Sequence, residues 1–226
     1  MPALPAAVLF DMDGTLVDTE RLWLQATAEL AAGLGHTLVE EDLPEVLGRA
    51  VDHTAGHLHR VTRTGLAAAA LAELLTEAFS VKVAAEVVPR PGALALLAEL
   101  RAAAVPTALV SASPRRVVDL VLGHLGRDFF HVTLAAEDTE RTKPDPAPYL
   151  AAAARLGLDP SVCVAVEDTP TGVSSALAAG CSVVAVPSTV PIAEADRITL
   201  LTSLEQADLA LLSALSVLTG RTGPRP

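Results

Sequence analysis

The chain is short of lysine, cysteine and aromatic side chains, and each shortage excludes something. Its two cysteines, Cys163 and Cys181, cannot build a disulfide framework. Both sit in apolar stretches and are expected to pack as small hydrophobes in a reducing compartment. Aromatic residues make up 3% of the 226 residues, too few for a base-stacking platform. The N-terminus has no basic n-region, and its apolar run is too short for a signal peptide. The longest uncharged stretch, Thr169 to Ala193, contains Gly172, Gly180, Pro187 and Pro191 and so is no membrane helix. A net charge of −11 opposes binding to nucleic acid or an anionic membrane. An anionic substrate must therefore be drawn in by local donors or a metal. A cytoplasmic protein is expected.

What is present begins with an apolar run, Ala6-Ala7-Val8-Leu9-Phe10, that ends in Asp11-Met12-Asp13-Gly14-Thr15. In a strand, residues i and i+2 point the same way, so Asp11 and Asp13 share one mouth at the sheet's carboxyl edge. Open α/β sheets bind ligands at that edge. Two carboxylates so close are costly without a cation or another counter-charge.

Residues 19–86 carry helical periodicity without a convincing strand: Glu20–Leu34, Leu43–Leu47, Val51–Val61 and Leu66–Glu86. Four helices in a row after one strand read as a helical insertion. The stiff segment Val87-Val88-Pro89-Arg90-Pro91-Gly92 marks the return. Strands and helices then alternate. Helices are expected at Ala93–Ala103, Pro114–Leu125, Ala147–Leu156, Gly172–Ala179 and Leu204–Leu218. Strands are expected at Pro106–Val110, Val132–Ala135, Val162–Val166, Ser182–Val186 and Ile198–Leu201. The predicted fold class is α/β: a doubly wound, mainly parallel, Rossmann-like sheet formed by residues 1–17 and 88–226, with a helical cap at 18–87. The end from Thr219 to Pro226 is expected to fray.

Three apolar strands end in polar residues: Asp11 and Asp13, then Ser111, then Glu167 with Asp168. Lys143 precedes a helix in a Pro-rich loop. Together these groups make a divalent-metal and phosphate site. Mg²⁺ prefers hard carboxylate oxygens, and Ser and Lys supply the donors that a phosphoryl group needs. The chain has fourteen arginines but only two lysines, Lys82 and Lys143, so Lys143 is no casual surface charge. An ammonium is a compact point charge that a guanidinium does not reproduce.

Asp11 to Glu20, with Ser111, Lys143-Pro144 and Val166-Glu167-Asp168-Thr169-Pro170-Thr171-Gly172-Val173, resembles the haloacid-dehalogenase superfamily. The resemblance covers residues 6–187 and is closest to the branch of sugar-phosphate phosphatases and β-phosphoglucomutase. It implies Asp11 as the nucleophile and Asp13 as the proton carrier. It further implies Mg²⁺ held by Asp11, Asp13, Asp168 and Glu167, the last directly or by orienting other ligands. Gly14, Thr15, Ser111, Ala112 and Lys143 would bind the phosphate. Dehalogenases lack the acid at the position of Asp13, so its presence favours phosphoryl transfer.

The resemblance implies a Mg²⁺-dependent phosphatase of small phosphorylated metabolites, sugar or sugar-alcohol phosphates, in an architecture that is often monomeric. The alternatives are a phosphomutase and a non-catalytic phosphate-binding module. In mutase-like sequences a His follows the first motif where this chain has Trp23, which favours net hydrolysis. Trp23 is either a core residue of the cap or a substrate contact, and Arg49 either a surface residue or a substrate contact. His53, His57 and His59 lack the Glu of a His-Glu-x-x-His motif and read as structural or solvated.

Overall fold

Six short strands line up in parallel in the order β3-β2-β1-β4-β5-β6. They are β1 (Ala7–Phe10), β2 (Thr107–Val110), β3 (Val132–Leu134), β4 (Cys163–Glu167), β5 (Ser182–Ala185) and β6 (Ile198–Leu200). The computed structural model describes residues 4–219, so the segment after Thr219, expected to fray, lies outside the described residues. The strands buried on both sides are nearly continuous apolar runs, AVLF in β1 and CVAV before Glu167 in β4. Alternation along β1 sends Val8 and Phe10 to the face covered by α5 (Ala93–Ala102), α6 (Arg115–Leu125) and α9 (Leu209–Thr219). Ala7 and Leu9 go to the other face, under α7 (Ala147–Leu156) and α8 (Pro170–Ala179). The sheet is doubly wound, and β1 lies at its centre between β2 and β4.

Between β1 and α5 come α1 (Glu20–Gly33), α2 (Leu43–Val46), α3 (Val51–Thr62) and α4 (Ala68–Ala85). Helices α1, α3 and α4 share a small core of Ala31, Ala55, Leu58, Leu71 and Leu75. Leu22, Ala26, Phe79 and Val83 turn the other way and join the core of the sheet. The chain leaves and returns along one seam. Asp18 N–H donates to Val88 O at 2.8 Å, Arg90 N–H donates to Leu16 O at 2.8 Å, and Val17 and Pro89 form an antiparallel bridge.

Two expected boundaries move for identifiable reasons. The helix expected at 204–218 is broken into a 3-10 turn, Leu204–Gln206, and α9. Asp208 Oδ1 accepts from Leu211 N–H at 2.8 Å and so caps a new start. Helix α8 begins at Pro170 rather than Gly172, because Thr169 Oγ1 accepts from Gly172 N–H at 3.1 Å and Pro170 suits a first turn. Among the described residues no helix is long and apolar enough to cross a membrane.

Candidate active site

Strand β1 is tied to β4 past its own end, where Asp11 N–H donates to Val166 O at 2.9 Å. That bond places the end of β1 beside Glu167 and Asp168. The chain then turns at Gly14, whose φ is +84°. A side chain there would be strained, and a Cβ would stand 2.0 Å from Asp168 Oδ2. Thr15 Oγ1 donates to Asp168 Oδ1 at 3.2 Å, and Ser188 Oγ donates to Asp168 Oδ2 at 2.5 Å. Gly14 and Thr15, expected to meet phosphate, thus pack against the Asp168 carboxylate.

Asp11, Glu167 and Asp168 are all buried, and each brings a carboxylate oxygen within 4.8 Å of the others. Lys143 Nζ lies among them. It donates to Asp11 Oδ1 at 2.6 Å and to Glu167 Oε1 at 2.6 Å. Burial lowers the lysine's proton affinity, but the charges of Asp11 and Glu167 outweigh it and hold the ammonium protonated above the usual range. Burial pushes the Glu167 carboxyl up to about 7, with the Lys143 charge opposing and the Asp11 charge adding to it. Asp168 is raised well above the carboxylate range by burial first, then by the charges of Asp11 and Glu167. Three acids against one lysine leave an excess of negative charge. Asp11 Oδ2 is buried without a hydrogen-bond partner. Three buried carboxylates within 4.8 Å of one another, with one ammonium among them, fit a divalent cation such as Mg²⁺.

Asp13 is built differently. Its Oδ1 accepts from Thr19 Oγ1 at 2.6 Å, and its Oδ2 accepts from Ser113 Oγ at 2.7 Å and Ser111 Oγ at 3.2 Å. Burial raises its pKa, and the Asp11 charge raises it further, against the three hydroxyls. Ser111 therefore holds Asp13 and also accepts from Ser113 N–H at 2.9 Å.

Asp11, Asp13, Ala112, Lys143 and Asp168 line one cavity, which the helical segment closes with Trp23, Arg49, Val51 and Phe79. Trp23 stands edge-on to Phe79, with ring centroids 5.3 Å apart and planes at 80°. Its Nε1–H donates to Val46 O at 2.8 Å. Trp23 thus both packs in the helical segment and faces the cavity. Arg49 is exposed at the rim, and its Nε–H donates to Pro44 O at 3.0 Å. The histidines bond elsewhere: His57 to Asp42 at 2.7 Å, His53 to Glu45 at 2.8 Å, and His59 Nδ1 to Leu66 O at 2.9 Å.

Sequence reasoning missed Thr19, Ser113, Tyr149 and Ser188 as neighbours of the site. Ser113 could have been found, since it lies two residues beyond Ser111, as Asp13 lies beyond Asp11. Tyr149, whose Oη–H donates to Glu167 Oε1 at 2.6 Å, and Ser188 carry no local signal.

A Rossmann-like parallel sheet thus brings paired aspartates, a lysine and an acidic pair to its carboxyl edge under a helical insertion. A match to the haloacid dehalogenase-like hydrolase family spans residues 5–180, and the chain belongs to that family. It is 36% identical over 208 residues to hexitol phosphatase A of Escherichia coli K12, covering 88% of this chain and 91% of that one. It is 32% identical over 216 residues to hexitol phosphatase B of the same strain, with 94% and 96% covered. The crystal structure of CbbY from Rhodobacter sphaeroides in complex with phosphate superposes with a TM-score of 0.80 at 29% identity, covering 90% of this chain and 96% of CbbY.

Proposed function

We propose that this enzyme, a phosphoric monoester hydrolase by its family and its relatives, hydrolyses small sugar or sugar-alcohol phosphates with Mg²⁺ through a phosphoryl group carried on Asp11. The observation that carries the reading is the division of labour on Asp11: Lys143 holds Oδ1, and Oδ2 is the oxygen without a partner. A buried oxygen so placed suits in-line attack on phosphorus.

Asp13 supplies the proton. Burial and the Asp11 charge favour its protonated form, and that carboxyl would deliver its proton to the leaving alcohol oxygen and take one back from the water that cleaves the intermediate. Lys143 and the backbone at Ser111-Ala112 would hold the non-bridging oxygens. The cation would be held by Asp11 and Asp168 of the Asp11, Glu167 and Asp168 cluster, with the Asp13 backbone carbonyl as the family resemblance implies, and would neutralise charge between nucleophile and phosphate. Glu167, already bonded to Lys143, would orient that lysine and support the cluster from behind.

The helical segment 18–87 would act as the cap, excluding water and selecting the alcohol. Hydrolysis rather than mutase chemistry is supported by Trp23. It lies where mutase-like relatives carry a histidine, and its one polar atom is spent on Val46 O.

Asp11→Asn should abolish phosphate release from an aryl phosphate while circular dichroism stays unchanged. Turnover by that variant would sink the assignment. EDTA should silence the wild type, and excess Mg²⁺ should restore it. Incubation with β-glucose 1-phosphate and its bisphosphate activator should give free phosphate rather than isomerised product. A panel of phosphorylated metabolites would then rank the alcohols.

A further inference from the structure

We propose that Tyr149 is a positioning residue that sets the place of the Lys143 ammonium by sharing its acceptor on Glu167. The inference rests on the reading of the site given above.

Tyr149 is the chain's sole tyrosine and is 0% exposed. It lies in the first turn of α7, behind Lys143 as seen from the cavity. Its Oη–H donates to Glu167 Oε1 at 2.6 Å, the same oxygen that accepts from Lys143 Nζ at 2.6 Å. Its ring also underlies the ammonium, with Nζ 5.2 Å from the ring centroid. Lys143 keeps a further donor on Asp11 Oδ1 at 2.6 Å. The lysine is therefore suspended between two carboxylates, and the phenol loads one of them.

The consequence is electrostatic. A carboxylate oxygen that accepts two short hydrogen bonds offers less to each donor than one that accepts a single bond. Without the hydroxyl, Glu167 Oε1 would belong to Lys143 alone. The ammonium would be drawn toward Glu167, away from Asp11 Oδ1 and from the oxygens of a phosphoryl group beside it. Phenylalanine would fill the same buried space without a hydroxyl to desolvate. A phenol in this place is accounted for by the bond it makes. It touches none of the reacting atoms itself.

The test is Tyr149→Phe, which removes the hydroxyl and keeps the ring under the ammonium. The variant should fold, melt close to the wild type and bind Mg²⁺ within about twofold by calorimetry, while kcat/KM on an aryl phosphate and the affinity for inorganic phosphate each fall about tenfold. In a Glu167→Gln background the same change should alter phosphate affinity less than about twofold, because the shared acceptor is already neutral. Wild-type-like kinetics and phosphate affinity in Tyr149→Phe would overturn the proposal. So would an equal loss in both backgrounds, which would mark a packing effect.

Should the Phe variant fail to fold, global incorporation of 3-fluorotyrosine labels this one site. Its ¹⁹F resonance should shift on adding inorganic phosphate with Mg²⁺, and the shift should vanish in Lys143→Ala; an unmoved resonance would equally overturn the proposal. The phosphate-binding arm needs no turnover. Failure of the phosphatase assignment would show as an inactive wild type and would leave this arm readable.

Discussion

The Lys143 ammonium stands 2.6 Å from Asp11 Oδ1, although 132 residues separate the two in the chain. It occupies one oxygen of the Asp11 carboxylate and leaves the other bare. Replacing it with arginine keeps the charge but substitutes a planar fork that cannot place one donor on Asp11 and another on Glu167 in the same space. Lys143→Arg should lower kcat about a hundredfold or more. Steady-state kinetics beside a circular dichroism spectrum will show it; a variant within tenfold of wild type would mean that bulk charge suffices.

Two glycines lie against carboxylates. A Cβ at Gly172 would fall 2.0 Å from the Glu167 carboxyl atoms, and one at Gly14 would fall 2.0 Å from Asp168 Oδ2. Gly172→Ala should cost about 1–3 kcal/mol in urea unfolding, as overpacking does. Gly14→Ala adds a positive φ of +84° and should also displace Asp168, weakening Mg²⁺ binding in calorimetry. Unchanged metal affinity in Gly14→Ala would show that Asp168 can shift without consequence.

Ser188 holds Asp168 Oδ2 from the loop after β5, at 2.5 Å. Ser188→Ala should lower affinity for Mg²⁺ about tenfold while leaving kcat at saturating metal nearly intact. Titrating the metal at fixed substrate separates the two quantities. A fall in kcat with no change in half-saturation would place Ser188 in the chemistry instead.

Asp42 carries the pH dependence of the helical segment. Burial opposes its ionisation, but Val39 N–H, His36 and His57 outweigh this and hold it at about 2, against an ordinary 3.8. Because the folded-state value is depressed, the unfolded chain binds more protons between these values. The stabilisation is complete above about pH 4 and is lost as pH falls through 2. Trp23, the sole tryptophan, reports on this segment. By its fluorescence, wild type should exceed Asp42→Asn in urea stability at pH 6, and the gap should close toward pH 2. A gap independent of pH would assign the effect to packing.

The sheet and its polar strand ends were legible in the sequence because both depend on local rules. Strand alternation places Asp11 and Asp13 on one mouth, and the apolar runs before Ser111 and Glu167 leave little else they could be. The pairing of Glu167 with Lys143 was not legible in detail. The hydroxyl that shares Glu167 Oε1 with Lys143 comes from α7, and a tyrosine in an alanine-rich helix gives no sign of its partner. Ser188 was hidden for the same reason, since its loop reaches Asp168 only once β4 and β5 have paired. The start of α9 failed on a smaller matter. Asp208 caps a helix inside a stretch whose apolar content looked continuous. The histidines of the helical segment were legible only in part: no Glu completes a His-Glu-x-x-His motif, and nothing in the spacing pointed to Asp42 as the partner of His57.

The seam joining Leu16–Asp18 to Val88–Arg90 makes the entry and exit of the helical segment neighbours. From the sheet's side, nearly seventy residues therefore leave and return at one stalk, and Leu22, Ala26, Phe79 and Val83 seat them on the sheet's core. A replacement that keeps the stalk and matches those four side chains can be exchanged without disturbing the register of β1 against β2 and β4. A chimera carrying the helical segment of a related hydrolase on this stalk should keep the chemistry of Asp11 and take its choice of alcohol from the donor.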